Sequence, residues 1–164
     1  MTWPCIILGL VGLQRLAELI YSAYNAMALK ACGATEVGAG HYPLLVAVHA
    51  AWFLAMFVSI DATTPIQPAL LAAYLLLQLG RAWVLLTLGP YWTTRLFHLE
   101  NVPAIRGGPY RFLRHPNYLV VAGEIAALPL AFGLWRIAII FSLLNGAALL
   151  WRIRIENSFL ARRP

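Results

Sequence analysis

The chain has 164 residues, 62% of them hydrophobic and only 11% charged, with a mean hydropathy of +0.75 and a formal net charge of +6. So little charge cannot solvate the surface of an ordinary soluble domain, which excludes that class and points to an all-α membrane protein. Nucleic-acid binding is the other reading of a basic chain, but its arginines sit at the ends of apolar runs and no nucleic-acid-binding motif accompanies them.

Several apolar stretches approach or reach the roughly 18 to 25 residues with which a helix crosses about 30 Å of hydrocarbon. The first candidate span runs from Trp3 to about Leu29 and carries Arg15 and Glu18; the second runs from Pro43 to Ile60 and the third from Pro68 to Leu88. The charged segment from Gly89 to Arg114 follows. Its Gly-Pro breaks, at Gly89-Pro90 and Gly108-Pro109, forbid one regular helix and make it an interfacial connection. A fourth span starts at Pro116, where proline suits the first helical turn, and ends near Phe132. Gly133 permits a tight return into a fifth, from about Trp135 to Trp151, and the tail from Arg152 to Pro164 leaves the membrane. The expectation is one integral membrane domain over 1–164, with five transmembrane helices: three spans in 1–88, then a connection, a hairpin and a C-terminal helix in 89–164.

Short loops rich in Lys and Arg stay in the cytoplasm. Lys30 follows span one; Arg95, Arg106, Arg111 and Arg114 lie between spans three and four; Arg152, Arg154, Arg162 and Arg163 follow span five. All fall on one side, with Arg136 the exception on the other, so the expected topology is N-out, C-in. A cleaved signal peptide over residues 1–29 is an alternative, since "AYNAMA" offers small residues, but a basic n-region is missing and Arg15 interrupts the apolar part. Cys5 and Cys32 flank span one and would stand about 40 Å apart along a helix, too far for a disulfide. His41, His49, His98 and His115 lack the close spacing of a zinc site, so no metal is expected.

Ionisable groups inside a span are costly and call for a partner or a task. Arg15 and Glu18, three apart on one helix face, can pair with each other or face a cavity and orient a polar head. Glu124, eight residues into span four, has no basic residue three or four positions away, and Arg81 or His49 would have to reach it across the bundle. A buried polar cluster and a substrate contact are both open for it.

The stretch "RGGPYRFLRHPNYL", residues 106 to 119, is different in kind. Gly107, Gly108 and Pro109 allow a close turn, Tyr110 and Tyr118 present aromatic faces with polar tips, and His115 precedes the proline that opens a helix with unpaired N–H groups. Such a place suits a polar nucleotide-like ligand, although a basic cluster beside a membrane also suits anionic lipid head groups. In "WRIRIENSFL", Arg152 and Glu156 lie four apart on a helix emerging at the same side. Together the clusters predict a cytoplasmic-side pocket open laterally to lipid.

"GGPYRFLRHPNYL", followed by a helical hairpin and "RIRIEN", resembles the isoprenylcysteine carboxyl methyltransferase family of integral membrane enzymes, which includes phospholipid methyltransferases. The resemblance covers residues 89 to 160 and rests on the Gly-x-Tyr-x(4)-His-Pro-x-Tyr core and the later Arg-x(3)-Glu. It implies S-adenosylmethionine-dependent methyl transfer to a lipophilic acceptor in the membrane. By resemblance the cofactor is enclosed by Val102, Pro103, Ala104, Ile105, Tyr110, His115, Pro116, Asn117, Tyr118 and Glu156. Arg152 falls where the family places a substrate-contacting arginine, so Arg152 and Glu156 are the candidate catalytic residues, with Arg152 and Glu124 the candidate acceptor contacts. "VPAI" stands where the family has His-x-Leu-Val, and Asn157 replaces the second glutamate of its Glu-Glu pair. With "LGPYWTTRL" at 88 to 96, these departures resemble the bacterial branch beside type III polyketide synthases, which methylates alkylpyrone or alkylresorcinol lipids. That branch implies a bacterial inner membrane, and the one-sided Lys and Arg distribution predicts an active site facing the cytoplasm.

Methyl transfer from a sulfonium annihilates charge, so a water-poor pocket favours it and positioning supplies much of the catalysis. A carboxylate acceptor needs only orientation, whereas a hydroxyl must also lose a proton. The alternatives are a phospholipid N-methyltransferase, a sterol-reductase-like enzyme dependent on a nicotinamide cofactor, and a non-enzymatic lipid-binding subunit, which would not bind S-adenosylmethionine saturably. Oligomeric state is not legible in the sequence.

Overall fold

The computed structural model describes residues 3–100, 102 and 105–160. Its α-helices are α1 (Trp3–Ala31), α2 (Tyr42–Ser59), α3 (Pro68–Leu88), α4 (Pro116–Ala131) and α5 (Trp135–Leu160). Proline occupies the first turn of α2, α3 and α4, where its missing N–H would have had no helical partner. Glycine ends α1 and α4. Gly33 and Gly133 take left-handed φ values of 86° and 71°, and the next residues donate back five positions, Ala34 N to Leu29 O at 3.0 Å and Leu134 N to Pro129 O at 2.8 Å. These are the bonds that satisfy the orphan carbonyls at a helix end.

The expectation of five spans is met in part. Four helical segments, Trp3–Ala31, Ala39–Ser59, Pro68–Tyr91 and Trp135–Ser158, are long and apolar enough to cross a membrane. Helix α4 has 16 residues, about 24 Å at 1.5 Å per residue, short of the roughly 30 Å hydrocarbon thickness. It lies between α3 and α5, and Val120, Glu124, Ile125, Leu128 and Ala131 are buried there. Leu8, Val11, Trp52, Met56, Tyr74, Ile125, Leu128 and Phe132 form the core, where the Trp52 indole donates to the Ile125 carbonyl at 3.1 Å. Outward-facing Leu10, Phe57, Leu76, Leu86 and Leu143 are well exposed, the distribution a lipid solvent requires.

The charges inside the spans find one another. Arg81 Nε donates to Glu18 Oε1 at 2.7 Å and its Nη1 to Glu124 Oε2 at 3.0 Å. Arg15 reaches Glu18 at 3.0 Å and Glu124 at 2.8 Å. Gln78 donates to Glu124 at 2.7 Å and accepts from Gln14 at 2.7 Å. Glu124 therefore has both Arg81 and Arg15 as partners, while His49 bonds the Leu45 carbonyl of its own helix at 2.8 Å. The network ties α1, α3 and α4 together at mid-bundle.

At one end of the bundle the connections knit into a cap. A two-residue antiparallel ladder pairs β1 (Thr35–Glu36), between α1 and α2, with β2 (Phe97–His98), between α3 and α4, in the register Thr35 to His98 and Glu36 to Phe97. Glu36 also pairs with Arg95 at 2.8 Å and Lys30 at 3.6 Å. The segment predicted as an interfacial connection contains this strand and two short 3-10 turns, Gly89–Tyr91 and Gly108–Arg111. Helix α5 continues beyond Trp151 to Leu160, so its last turns reach the same cap.

Candidate functional site

The site begins with a close approach. Gly108, at φ 53°, packs so tightly against the Thr87 side chain at the end of α3 that a Cβ would collide with it. Glycine supplies both the left-handed backbone and the space. Pro109 is buried behind it, and the turn sets Tyr110 over the cap. Burial, with the negative charge of Glu156 second, pushes the Tyr110 phenol up to about 12, so it stays protonated at neutral pH.

His115 precedes α4, and Pro116 is buried at the helix's first turn. Its ring stacks on that of Tyr118, centroids 5.1 Å apart and planes 14° from parallel. The Tyr118 hydroxyl donates to Glu156 Oε2 at 2.9 Å and accepts from Arg152 Nε at 2.8 Å. His115 Nδ1 stands 3.7 Å from the same Glu156 oxygen. Arg152 Nη1 donates to the Thr94 carbonyl at 2.7 Å, and the guanidinium lies 5.4 Å from the Tyr118 ring centre. Thus α4, α5 and the segment after α3 each contribute to one polar cluster.

This cluster walls a cavity of about 1300 Å³ at the capped end. Val102, Ile105, Tyr110, His115, Asn117, Tyr118, Arg152 and Glu156 all line it, whereas Pro103 and Ala104 lie outside the described residues. Three side-chain atoms of lining residues, Trp92 Nε1, His115 Nε2 and Asn117 Oδ1, are buried without a hydrogen-bond partner among the described residues. Unsatisfied buried polar atoms are costly, and a polar ligand in the cavity would satisfy them. Leu29, Leu88, Phe112 and Leu113 give the cavity an apolar side, and Phe112 is 74% exposed.

Glu124 belongs elsewhere. Only 2% exposed, it holds its bonds to Arg81, Arg15 and Gln78 in the mid-bundle network. Thr94, which bonds Arg152, and Ser22, Asn25 and Trp92, which pack with the segment carrying it, are marked as site residues by no motif of the sequence. The signal available for Ser22 and Asn25 was their polarity inside an apolar span; a backbone carbonyl such as that of Thr94 leaves no signal at all.

The sequence profile of the isoprenylcysteine carboxyl methyltransferase family matches residues 70–162, more than half of the chain and all of the cavity's α3-to-α5 side. A protein of Bacillus subtilis (strain 168) described as "Uncharacterized protein YpbQ" is 33% identical over 160 residues, which cover 94% of this chain and 95% of that protein. No solved structure matches the chain. With the Gly-Pro turn, the His-Pro-x-Tyr helix start and the Arg-x(3)-Glu of α5 converging on one cavity at the end of an apolar bundle, this chain belongs to the isoprenylcysteine carboxyl methyltransferase family of membrane methyltransferases.

Proposed function

We propose that this protein transfers a methyl group from S-adenosylmethionine to a nucleophilic oxygen of a lipophilic acceptor, the carboxylate of a prenylcysteine-like compound or the hydroxyl of an alkylpyrone or alkylresorcinol lipid. The observation that carries the reading is the hydrogen-bonded series Arg152–Tyr118–Glu156 on the wall of a cavity that also holds unpartnered His115 and Asn117 atoms. The donor set fits the cofactor. Glu156 suits ribose hydroxyls or an ammonium, Asn117 Oδ1 accepts, and His115 Nε2 donates or accepts according to its tautomer.

When bound, S-adenosylmethionine would supply a methyl on a positively charged sulfur, which would keep the C–S electron pair as the acceptor oxygen takes the methyl. The protein's own work is arrangement. Arg152, held at Nε by Tyr118 and at Nη1 by Thr94, presents a fixed cation that orients an anionic oxygen. The apolar side of the cavity admits the acceptor's hydrocarbon and excludes water, which favours a step in which charge disappears. A carboxylate acceptor needs no proton transfer. A hydroxyl acceptor must lose one, and Glu156 is the carboxylate at the site; Tyr110, protonated, is unsuited as a base.

The one-sided Lys and Arg distribution supports a bacterial cell membrane orientation with the cavity facing the cytoplasm. Labelled methyl transfer into a panel of prenylcysteines, alkylpyrones, alkylresorcinols and phosphatidylethanolamine tests the reaction, and calorimetric titration with S-adenosylhomocysteine tests the site. Label in the oxygen acceptors and weakened titration of His115→Ala and Glu156→Ala are expected. Label confined to phosphatidylethanolamine would make the protein an N-methyltransferase, and affinities equal to the parent in both variants would remove the two residues from the cofactor site.

A further inference from the structure

Helix α1 lies outside the part of the chain matched by the family profile, yet its last turns hold the segment that holds Arg152. Asn25 is 1% exposed, and its amide nitrogen donates to the carbonyls of Gly89 at 3.2 Å and Trp92 at 2.8 Å. Both partners are acceptors only, so the nitrogen has to face them. One turn earlier, Ser22, 3% exposed, accepts from the Thr94 N–H at 2.9 Å and shares a second hydrogen bond of 2.9 Å with the Thr94 hydroxyl, which also meets the Tyr42 hydroxyl at 3.1 Å. Between them Trp92, 2% exposed, stacks on Tyr21 with ring centres 5.9 Å apart. Residues 89–94 include a single 3-10 turn, Gly89–Tyr91, and no long helix or strand, so these α1 contacts, with the Tyr42 hydroxyl on Thr94, help to hold their path.

The carbonyl of Thr94 is the acceptor for Arg152 Nη1. We infer that Ser22 and Asn25 are positioning residues for methyl transfer, acting through the Thr94 carbonyl to set the plane of the Arg152 guanidinium. The inference rests on the acceptor-orienting role given to Arg152 above. Tyr118 and Thr94 fix the guanidinium from two sides, and one of those sides is an irregular segment bonded by two polar residues of the first helix. Polar side chains in a span are costly unless engaged, and here each is engaged on the segment whose Thr94 carbonyl bonds Arg152. A displacement of the Thr94 carbonyl by a fraction of an ångström tilts the cation that orients the acceptor, and near-attack geometry is sensitive on that scale.

The test is a set of single-turnover rates and acceptor KM values for the full chain in nanodiscs, at saturating S-adenosylmethionine, with Ser22→Ala, Asn25→Asp and Tyr24→Leu. Tyr24, on the exposed face of the same helix, is the control. Ser22→Ala is expected to slow transfer about tenfold and raise acceptor KM, with S-adenosylhomocysteine affinity within about twofold of the parent. In an Arg152→Gln background the same Ser22→Ala change is expected to have no further effect on rate, because its path to the reaction runs through Arg152. Additive rate losses in that cycle, or rates for Ser22→Ala and Asn25→Asp equal to those of Tyr24→Leu, would overturn the inference. Thermal unfolding of the same four proteins gives a readout independent of activity: non-additive shifts for Ser22→Ala and Arg152→Gln support the linkage and additive shifts count against it. If the parent transfers methyl to no acceptor, the methyltransferase reading fails and the unfolding cycle alone decides whether α1 positions Arg152.

Discussion

The Tyr118 hydroxyl sits between Arg152 Nε at 2.8 Å and Glu156 Oε2 at 2.9 Å, accepting from the first and donating to the second. One oxygen thereby couples the residue assigned to the acceptor with the residue assigned to the cofactor. Arg152 and Glu156 are one turn apart on α5, yet it is a side chain from α4 that joins them.

Tyr118→Phe keeps the stack on His115 and removes both bonds. Hydrogen bonds to charged groups contribute about 1.5–3 kcal/mol, so methyl transfer is expected to fall by roughly ten- to a hundredfold, with S-adenosylhomocysteine affinity also reduced. Steady-state kinetics beside calorimetric titration measures both. An unchanged rate would show that the hydroxyl does not link the two groups during turnover.

Arg152→Lys retains charge but loses the planar fork that engages Tyr118 and Thr94 together. Single-turnover methyl transfer is expected to drop about a hundredfold while cofactor affinity holds. Arg154 points to the exposed side of α5, and Arg154→Lys is expected to change the rate less than about twofold. Equal losses at the two positions would mean the acceptor is oriented by something else.

The mid-bundle network makes a stability prediction. Arg81→Leu removes one of the two guanidinium groups that bridge buried Glu18 and Glu124 and leaves them Arg15 alone, and breaking a buried pair costs about 3–5 kcal/mol. Lys30→Ala removes an ion pair whose lysine side chain is 57% exposed, worth about 0–1 kcal/mol. Thermal unfolding in nanodiscs should separate the two by many degrees. A comparable small shift for both would mean that water or another residue compensates Glu18 and Glu124.

Tyr110 gives a pH dependence. Its folded value of about 12 lies above the ordinary 10.0, so the folded state holds its proton more tightly than the unfolded chain does. The resulting stabilisation is complete below pH 10 and is lost as pH rises from there through 12. Unfolding midpoints of the parent should therefore decline across that window more steeply than those of Tyr110→Phe. Parallel curves would place the Tyr110 hydroxyl in water.

The proposed topology is tested by reporter fusions in bacterial cells. A fusion after residue 160 is expected to be active on the cytoplasmic side, and a tag at Glu100 to be modified from the same side. Because the β1–β2 ladder puts the α1–α2 and α3–α4 connections at one end, a reporter within residues 33–38 should agree with both. Activity of the residue 160 fusion on the outside only would reverse the orientation.

Much of this architecture was legible in the sequence, because length and apolarity fix how a chain meets a bilayer. Proline at the start of α2, α3 and α4 and glycine at the end of α1 and α4 punctuate it through backbone geometry alone. The spacing of Arg152 and Glu156, and of Tyr110, His115 and Tyr118, likewise marks local faces that any helix or turn there would present. What length and spacing left undecided was pairing across the fold. Glu124 had two candidate partners in the sequence, and only packing chose Arg81, with Arg15, over His49, because α3 and α1 bring their guanidinium groups to that face of α4 while His49 is taken by its own helix. The shortness of α4 becomes meaningful only once α3 and α5 enclose it. The two-residue ladder, too brief for any periodic pattern, forms because the bundle delivers both connections to one end. The hold of Ser22 and Asn25 on residues 89–94 is of the same kind: those bonds go largely to backbone groups, which every residue carries alike, so three-dimensional proximity alone decides which are used.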